Sequence, residues 1–138
     1  MSGLRIAVTS SLEKTDELVE WCCVNYQNLM KHRICATKRV AETMKKILVD
    51  IHKDLQPEDS EESIKNLYDS KISTLLEGDE GGYQQIGALL AVGAIDVVIM
   101  FLTPTYNQDI QSIIRLASLY DKPIAINKAT ANLVITTL

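Results

Sequence analysis

Metal-binding and redox side chains are scarce in this sequence. Its 138 residues include two histidines and three cysteines. The spacing of His32, His52 and Cys35 matches no metal-ligand pattern, so neither a metal nor another cofactor is expected. Three cysteines cannot all pair. Cys22 and Cys23 fall beside core positions of a helical stripe and read as small buried hydrophobes of a reducing cytoplasm. Long apolar runs are missing too. No stretch approaches the ~20 residues of a bilayer span, and "MSGLRIAVTSS" lacks the basic-then-apolar layout of a secretion leader. No membrane association is therefore expected, and the expected compartment is the cytoplasm. Basic excess is also absent: 14 Lys and Arg stand against 18 Asp and Glu, a net charge of −4, which argues against nucleic acid as a partner.

What is present is the composition of one globular domain over residues 1–138, 46% apolar and 23% charged. "LRIAVTSS" is a short apolar run ending in hydroxyls, the pattern of a buried strand. Leu18, Cys22, Tyr26 and Leu29 then recur at helical spacing. "RICAT" reads as a second strand, followed by a helix with Val40, Met44, Leu48 and Ile51 on one side. Pro57 and a cluster of acids break that pattern, and residues from about 55 to 65 read as an exposed acidic insertion loop. "KISTLLEG" is predicted as a third strand, residues 81–93 as a helix, "DVVIMFL" as a doubly buried strand, and "NQDIQSIIRLASLYD" as a helix. "KPIAIN" and "ANLVITT" close the chain as a strand and a short final strand or helix–strand segment. This alternation predicts an α/β fold of three layers, with about five mainly parallel strands covered by helices on both faces.

In such sheets ligands sit at the carboxyl ends of the strands, near the switch in strand order. Residues 10–14, 37–39, 77–83 and 103–107 are expected to converge there. Helix starts in this crevice would present unpaired N–H groups to an anion. The candidate ligand-binding residues are Ser10, Ser11, Lys14, Thr37, Lys38, Arg39, Gly81 and Gly82. Each has a bland alternative: a solvated Lys14, an N-cap at Thr37, first-turn cations at Lys38 and Arg39, loop caps at Ser10 and Ser11, a tight turn at Gly81-Gly82.

Three stretches carry a resemblance: "GGYQQIGALLAVGAIDVVIMF", "IIRLASLYDKPIAINKATANLVI" and the early "VTSSLEK". Together they are similar to the methylglyoxal synthase family, whose fold is shared with the regulatory domain of carbamoyl-phosphate synthetase and with IMP cyclohydrolase. The resemblance implies a phosphate-eliminating lyase that converts dihydroxyacetone phosphate to methylglyoxal, and a homo-oligomer, specifically a hexamer. It places the family's catalytic Asp directly after the glycine pair, where this chain has Tyr83. It keeps Lys14, Thr37, Gly78, Gly81, Gly82 and a helix-start carboxylate, Asp109, and so adds Gly78 to the candidate ligand-binding residues. It also shows Ser11 in an acidic position, Lys38, Arg39 and Val40 in a loop of small residues, Glu77 for a serine, and Thr103 in a shortened loop without His.

A phenol with an ordinary pKa of about 10 is neutral at pH 7 and a poor replacement for a carboxylate base. The expected function is therefore binding of a small anionic metabolite, such as a phosphometabolite or a nucleotide, without methylglyoxal synthase turnover. The alternative is an active lyase with displaced acid–base groups, for which Tyr83, Glu80 and Asp109 are the candidate catalytic residues.

Overall fold

A computed structural model describes residues 3–138. Five strands form one parallel sheet: β1 (Arg5–Ser10), β2 (Arg33–Ala36), β3 (Ile72–Thr74), β4 (Val97–Phe101) and β5 (Ile124–Ala125), in the order β3-β2-β1-β4-β5. The helices are α1 (Thr15–Val24), α2 (Tyr26–Leu29), α3 (Lys38–Leu55), α4 (Glu61–Lys71), α5 (Gly82–Ala91), α6 (Gln108–Leu119) and α7 (Lys128–Thr137). Period-two alternation sorts the central strands between two cores. Ile6, Val8, Val97, Ile99 and Phe101 face a cluster with Leu18, Trp21, Met44, Leu48, Tyr68 and Ile135. Ala7, Val98 and Met100 face the opposite way, onto Ile86, Leu90, Ile110 and Ile113. Helices therefore cover both faces, which makes the fold a three-layer α/β sandwich.

Two segments differ from the expectation drawn from sequence. The acidic stretch is not loop throughout, because residues 61–71 form α4. Ser60 caps it by accepting the Ser63 N–H at 3.1 Å, and Glu61 and Glu62 lie in its first turn, where a helix favours negative charge. Ile64 and Tyr68, one turn apart, bury its inner side. The connection shrinks to residues 56–60, and His52 clasps it: Nε2 meets Asp59 Oδ2 at 2.7 Å while Nδ1 meets the Tyr68 hydroxyl at 3.1 Å. The final segment is helical rather than extended. Asn127 caps α7 by accepting the Thr130 N–H at 2.8 Å, and Ala131 and Ile135 are buried at helical spacing. Its β-branched residues favour a strand, but packing on α1 and β4 overrides that local preference.

The strand order switches direction between β1 and β4. Ser11 N–H donates to the Phe101 carbonyl at 2.8 Å, and Thr103 N–H to Ser11 Oγ at 3.2 Å. These bonds hold the two strand ends together and open the sheet above them, where α/β folds place ligands.

Candidate functional site

The crevice above β1 and β4 contains a cavity of about 290 Å³, lined by all four of the segments expected to meet there. Thr9, Ser10 and Ser11 enter from β1 and its end, Thr37 and Arg39 from the start of α3, Glu77, Gly78 and Asp79 from the turn after β3, and Asn107 from the start of α6. Tyr83, in the first turn of α5, forms the remaining wall. It also borders two neighbouring cavities, one between α5 and α6 and one beside Tyr106.

Each polar side chain has a traceable position. Thr37 occupies the N-cap position of α3, yet its side chain makes no capping bond. Its hydroxyl instead shares a hydrogen bond with Thr9 Oγ1 at 2.9 Å, and both residues are buried. Ser10 Oγ donates to the Ser11 carbonyl at 2.8 Å. The Arg39 guanidinium reaches back across the cavity floor, donating from Nη2 to the Ser10 carbonyl at 2.8 Å and from Nη1 to Thr15 Oγ1 at 3.0 Å. Among the described residues no carboxylate forms an ion pair with it. Glu77 lies close by, but it accepts the Arg39 backbone N–H at 3.0 Å rather than a guanidinium proton.

The turn after β3 explains its glycines. Gly81 has φ +114°, a left-handed value that side chains with Cβ rarely adopt. Gly82 then opens α5, its N–H donated to the Glu77 carbonyl at 2.8 Å. At Gly78 a Cβ would lie 2.2 Å from Tyr83 Cζ, so the phenol ring rests directly on that glycine. Burial pushes the Tyr83 phenol above its ordinary pKa, and Asp79 adds to the push. The Thr9 hydroxyl and Arg39 pull the other way, and Asp109 raises it again. The net direction is upward.

Comparison with known proteins sets this crevice in a family. Over 139 aligned residues the chain is 34% identical to the methylglyoxal synthase of Brucella anthropi, a match covering 98% of this chain and 96% of that protein. The chain belongs to the methylglyoxal synthase family. A shorter match of 74 residues is 46% identical to the methylglyoxal synthase of Rhizobium rhizogenes, covering 51% of this chain and 59% of that protein. The crystal structure of a methylglyoxal synthase from Elizabethkingia anophelis superposes with a TM-score of 0.72 at 28% identity, over 98% of this chain and 78% of that one. No family profile matches the chain.

Within this methylglyoxal synthase family chain, the structure brings together only part of the residue set singled out from sequence. Ser10, Ser11, Thr37, Arg39, Gly78 and Tyr83 line the cavity; Lys14, Lys38, Glu80, Gly81, Gly82 and Asp109 do not. Lys14 sits on the 3-10 turn after β1, its Nζ 3.4 Å from Glu17 Oε2. Lys38 is exposed at the first position of α3, and Glu80 is exposed on the turn before α5. Asp109 borders the α5–α6 cavity and accepts from Gln84 Nε2 at 3.1 Å. Thr9 is a lining residue outside every stretch expected at the crevice, while Leu12, Glu77, Asp79 and Asn107 fall within those stretches but were not among the candidate ligand residues. A hydroxyl inside the apolar run of β1 was the available signal for Thr9. Among the described residues no cluster of His, Cys, Asp and Glu is arranged to hold a metal ion, and no helix is long and apolar enough to cross a membrane.

Proposed function

We propose that this family member uses the cavity to hold a small anionic metabolite, phosphate-bearing or otherwise, and does not convert dihydroxyacetone phosphate to methylglyoxal. The observation that carries the reading is Tyr83. Family resemblance puts the proton-abstracting Asp at that position, and here a neutral phenol, its pKa raised by burial, rests against Gly78 in the same wall. Proton removal next to a carbonyl needs a base that is ionised at the working pH. Anion binding has separate support: Arg39 lines the cavity, and its guanidinium hydrogen-bonds to neutral oxygens, those of Ser10 and Thr15, rather than to a carboxylate.

A second reading keeps the lyase activity with a displaced base. It is favoured by Asp79, an exposed carboxylate that lines the same cavity. A base moved along the turn must still reach the reacting proton, and a shift of an ångström costs on the order of a hundredfold. By the same resemblance we read the chain as a homo-oligomer, a hexamer as the family pattern has it.

A thermal-shift screen tests the binding reading. Phosphate, dihydroxyacetone phosphate, nucleotides and small carboxylates are added in turn, because a ligand that binds only the folded state raises its melting temperature. At least one anion should stabilise the wild type, Arg39→Ala should abolish that shift, and Lys14→Ala should leave most of it. Absence of any shift across the panel would remove the binding reading.

A further inference from the structure

The α3 N-terminus already holds an anion that belongs to the chain itself. First-turn N–H groups of a helix lack intrahelical partners and carry the positive end of its dipole, so they attract negative charge. Here the Arg39 N–H donates to Glu77 Oε1 at 3.0 Å, across 38 residues of sequence. The carboxylate therefore occupies an amide that would otherwise be open to a bound anion. The rest of the lining adds to this. Its charged side chains are Arg39, Glu77 and Asp79, one cation against two carboxylates. A phosphate dianion entering this space meets two like charges for each opposite one.

A carboxylate fits the same walls better. It brings one negative charge, and the Arg39 guanidinium still has N–H groups to give it, because Nη1 and Nη2 each use one of two protons on Thr15 and Ser10. Glu77 and Asp79 then require donors, which a hydroxyl or an ammonium beside the carboxylate supplies. The volume of about 290 Å³ lies at the lower end of ligand cavities, ~300–1,000 Å³, so the molecule is small. We propose that Glu77 sets the ligand class of this cavity: it excludes phosphate, and the cavity takes a small carboxylate bearing an adjacent hydroxyl or ammonium donor. The carboxylate sits on Arg39 and the donor on Glu77 and Asp79. This assignment rests on the anion-pocket reading above and narrows it.

Calorimetric titration of glycerate, serine and inorganic phosphate into wild type, Glu77→Gln, Glu77→Ser and Arg39→Ala tests it, with melting temperatures confirming that each variant is folded. Glu77→Gln keeps an oxygen for the Arg39 N–H and removes only the charge. In wild type, glycerate or serine should bind at least about tenfold tighter than phosphate, a difference of ~1.4 kcal/mol. The stronger of the two identifies the donor as hydroxyl or ammonium. Glu77→Gln should tighten phosphate binding by about tenfold and weaken the carboxylate, with Glu77→Ser in the same direction, while Arg39→Ala loses all three. Phosphate binding tighter than both carboxylates in wild type, or an unchanged ratio in Glu77→Gln, overturns the role of Glu77 and leaves the anion pocket standing. No binding of any probe to any folded protein overturns both.

Discussion

The proposed loss of methylglyoxal synthase turnover rests at the residue scale on Tyr83. An ordinary phenol is less than about one part in a thousand ionised at neutral pH, whereas an ordinary aspartate is almost fully ionised. Burial moves Tyr83 further from that role, and Arg39 does not reverse the direction. Wild-type protein should therefore release methylglyoxal from dihydroxyacetone phosphate at no more than the spontaneous rate in a coupled assay. Tyr83→Asp alone should restore little. Glu77 still occupies the Arg39 amide and Ser11 still binds the Thr103 N–H, and groups that act as a unit do not recover one at a time. Tyr83→Phe distinguishes the remaining possibilities. Wild-type turnover that persists in Tyr83→Phe would place the base on a carboxylate, Asp79 first; turnover lost in it would make the phenol itself the base.

The link between α2 and β2 carries a pH-sensitive element. His32 is buried, and its Nδ1 accepts the Leu4 N–H at 2.9 Å, tying the approach to β1 to the start of β2. Burial lowers its pKa, with Lys31 and Lys71 adding to the effect. The Lys71 ammonium donates to the His32 carbonyl at 2.9 Å and so stands close to the ring's own residue. A depressed folded-state pKa means that the unfolded chain takes up the proton first, at about 6.5, while the folded chain resists it. Stability is then full above that pH and falls as pH drops through it. Urea melts of wild type should weaken between pH 7.5 and 5.5, above the range where carboxylates titrate. His32→Asn keeps an acceptor for Leu4 without a titrating ring and should flatten part of that loss. An equal decline in the variant would place the effect elsewhere.

At the scale of the whole molecule, the two cores on either side of the sheet account for the fold but leave several large apolar side chains in water. Val24, Val92, Leu119 and Leu133 are each more than 60% exposed in the single chain, at 71%, 77%, 66% and 69%. They lie on α1, at the end of α5, on α6 and on α7, and isolated exposed leucines are ordinary in monomers. Together with Leu12, 68% exposed on the turn after β1, they are apolar surface that self-association would cover. Sedimentation equilibrium should give a mass that is a multiple of 15.4 kDa, six for the hexamer. A monomer at micromolar concentration would remove the oligomer reading.

The sequence by itself determined the layers. Short apolar runs in β1 and β4, helical stripes in α1, α3 and α6, and the glycine pair before α5 are local patterns that can be read along the chain. The four segments meeting at the strand ends followed from the α/β alternation alone. Tertiary structure decided the site's chemistry. That Arg39 reaches Ser10 and that Glu77 takes the Arg39 amide depends on which strands neighbour one another and which side chains compete for each partner, whereas the Lys14–Glu17 pair is local. The residues in the first two contacts lie 29 and 38 positions apart, beyond the reach of any local pattern. The helices at α4 and α7 were settled in the same way. Their acidic and β-branched compositions read as loop and strand, and burial of Ile64, Tyr68, Ala131 and Ile135 outweighed that preference.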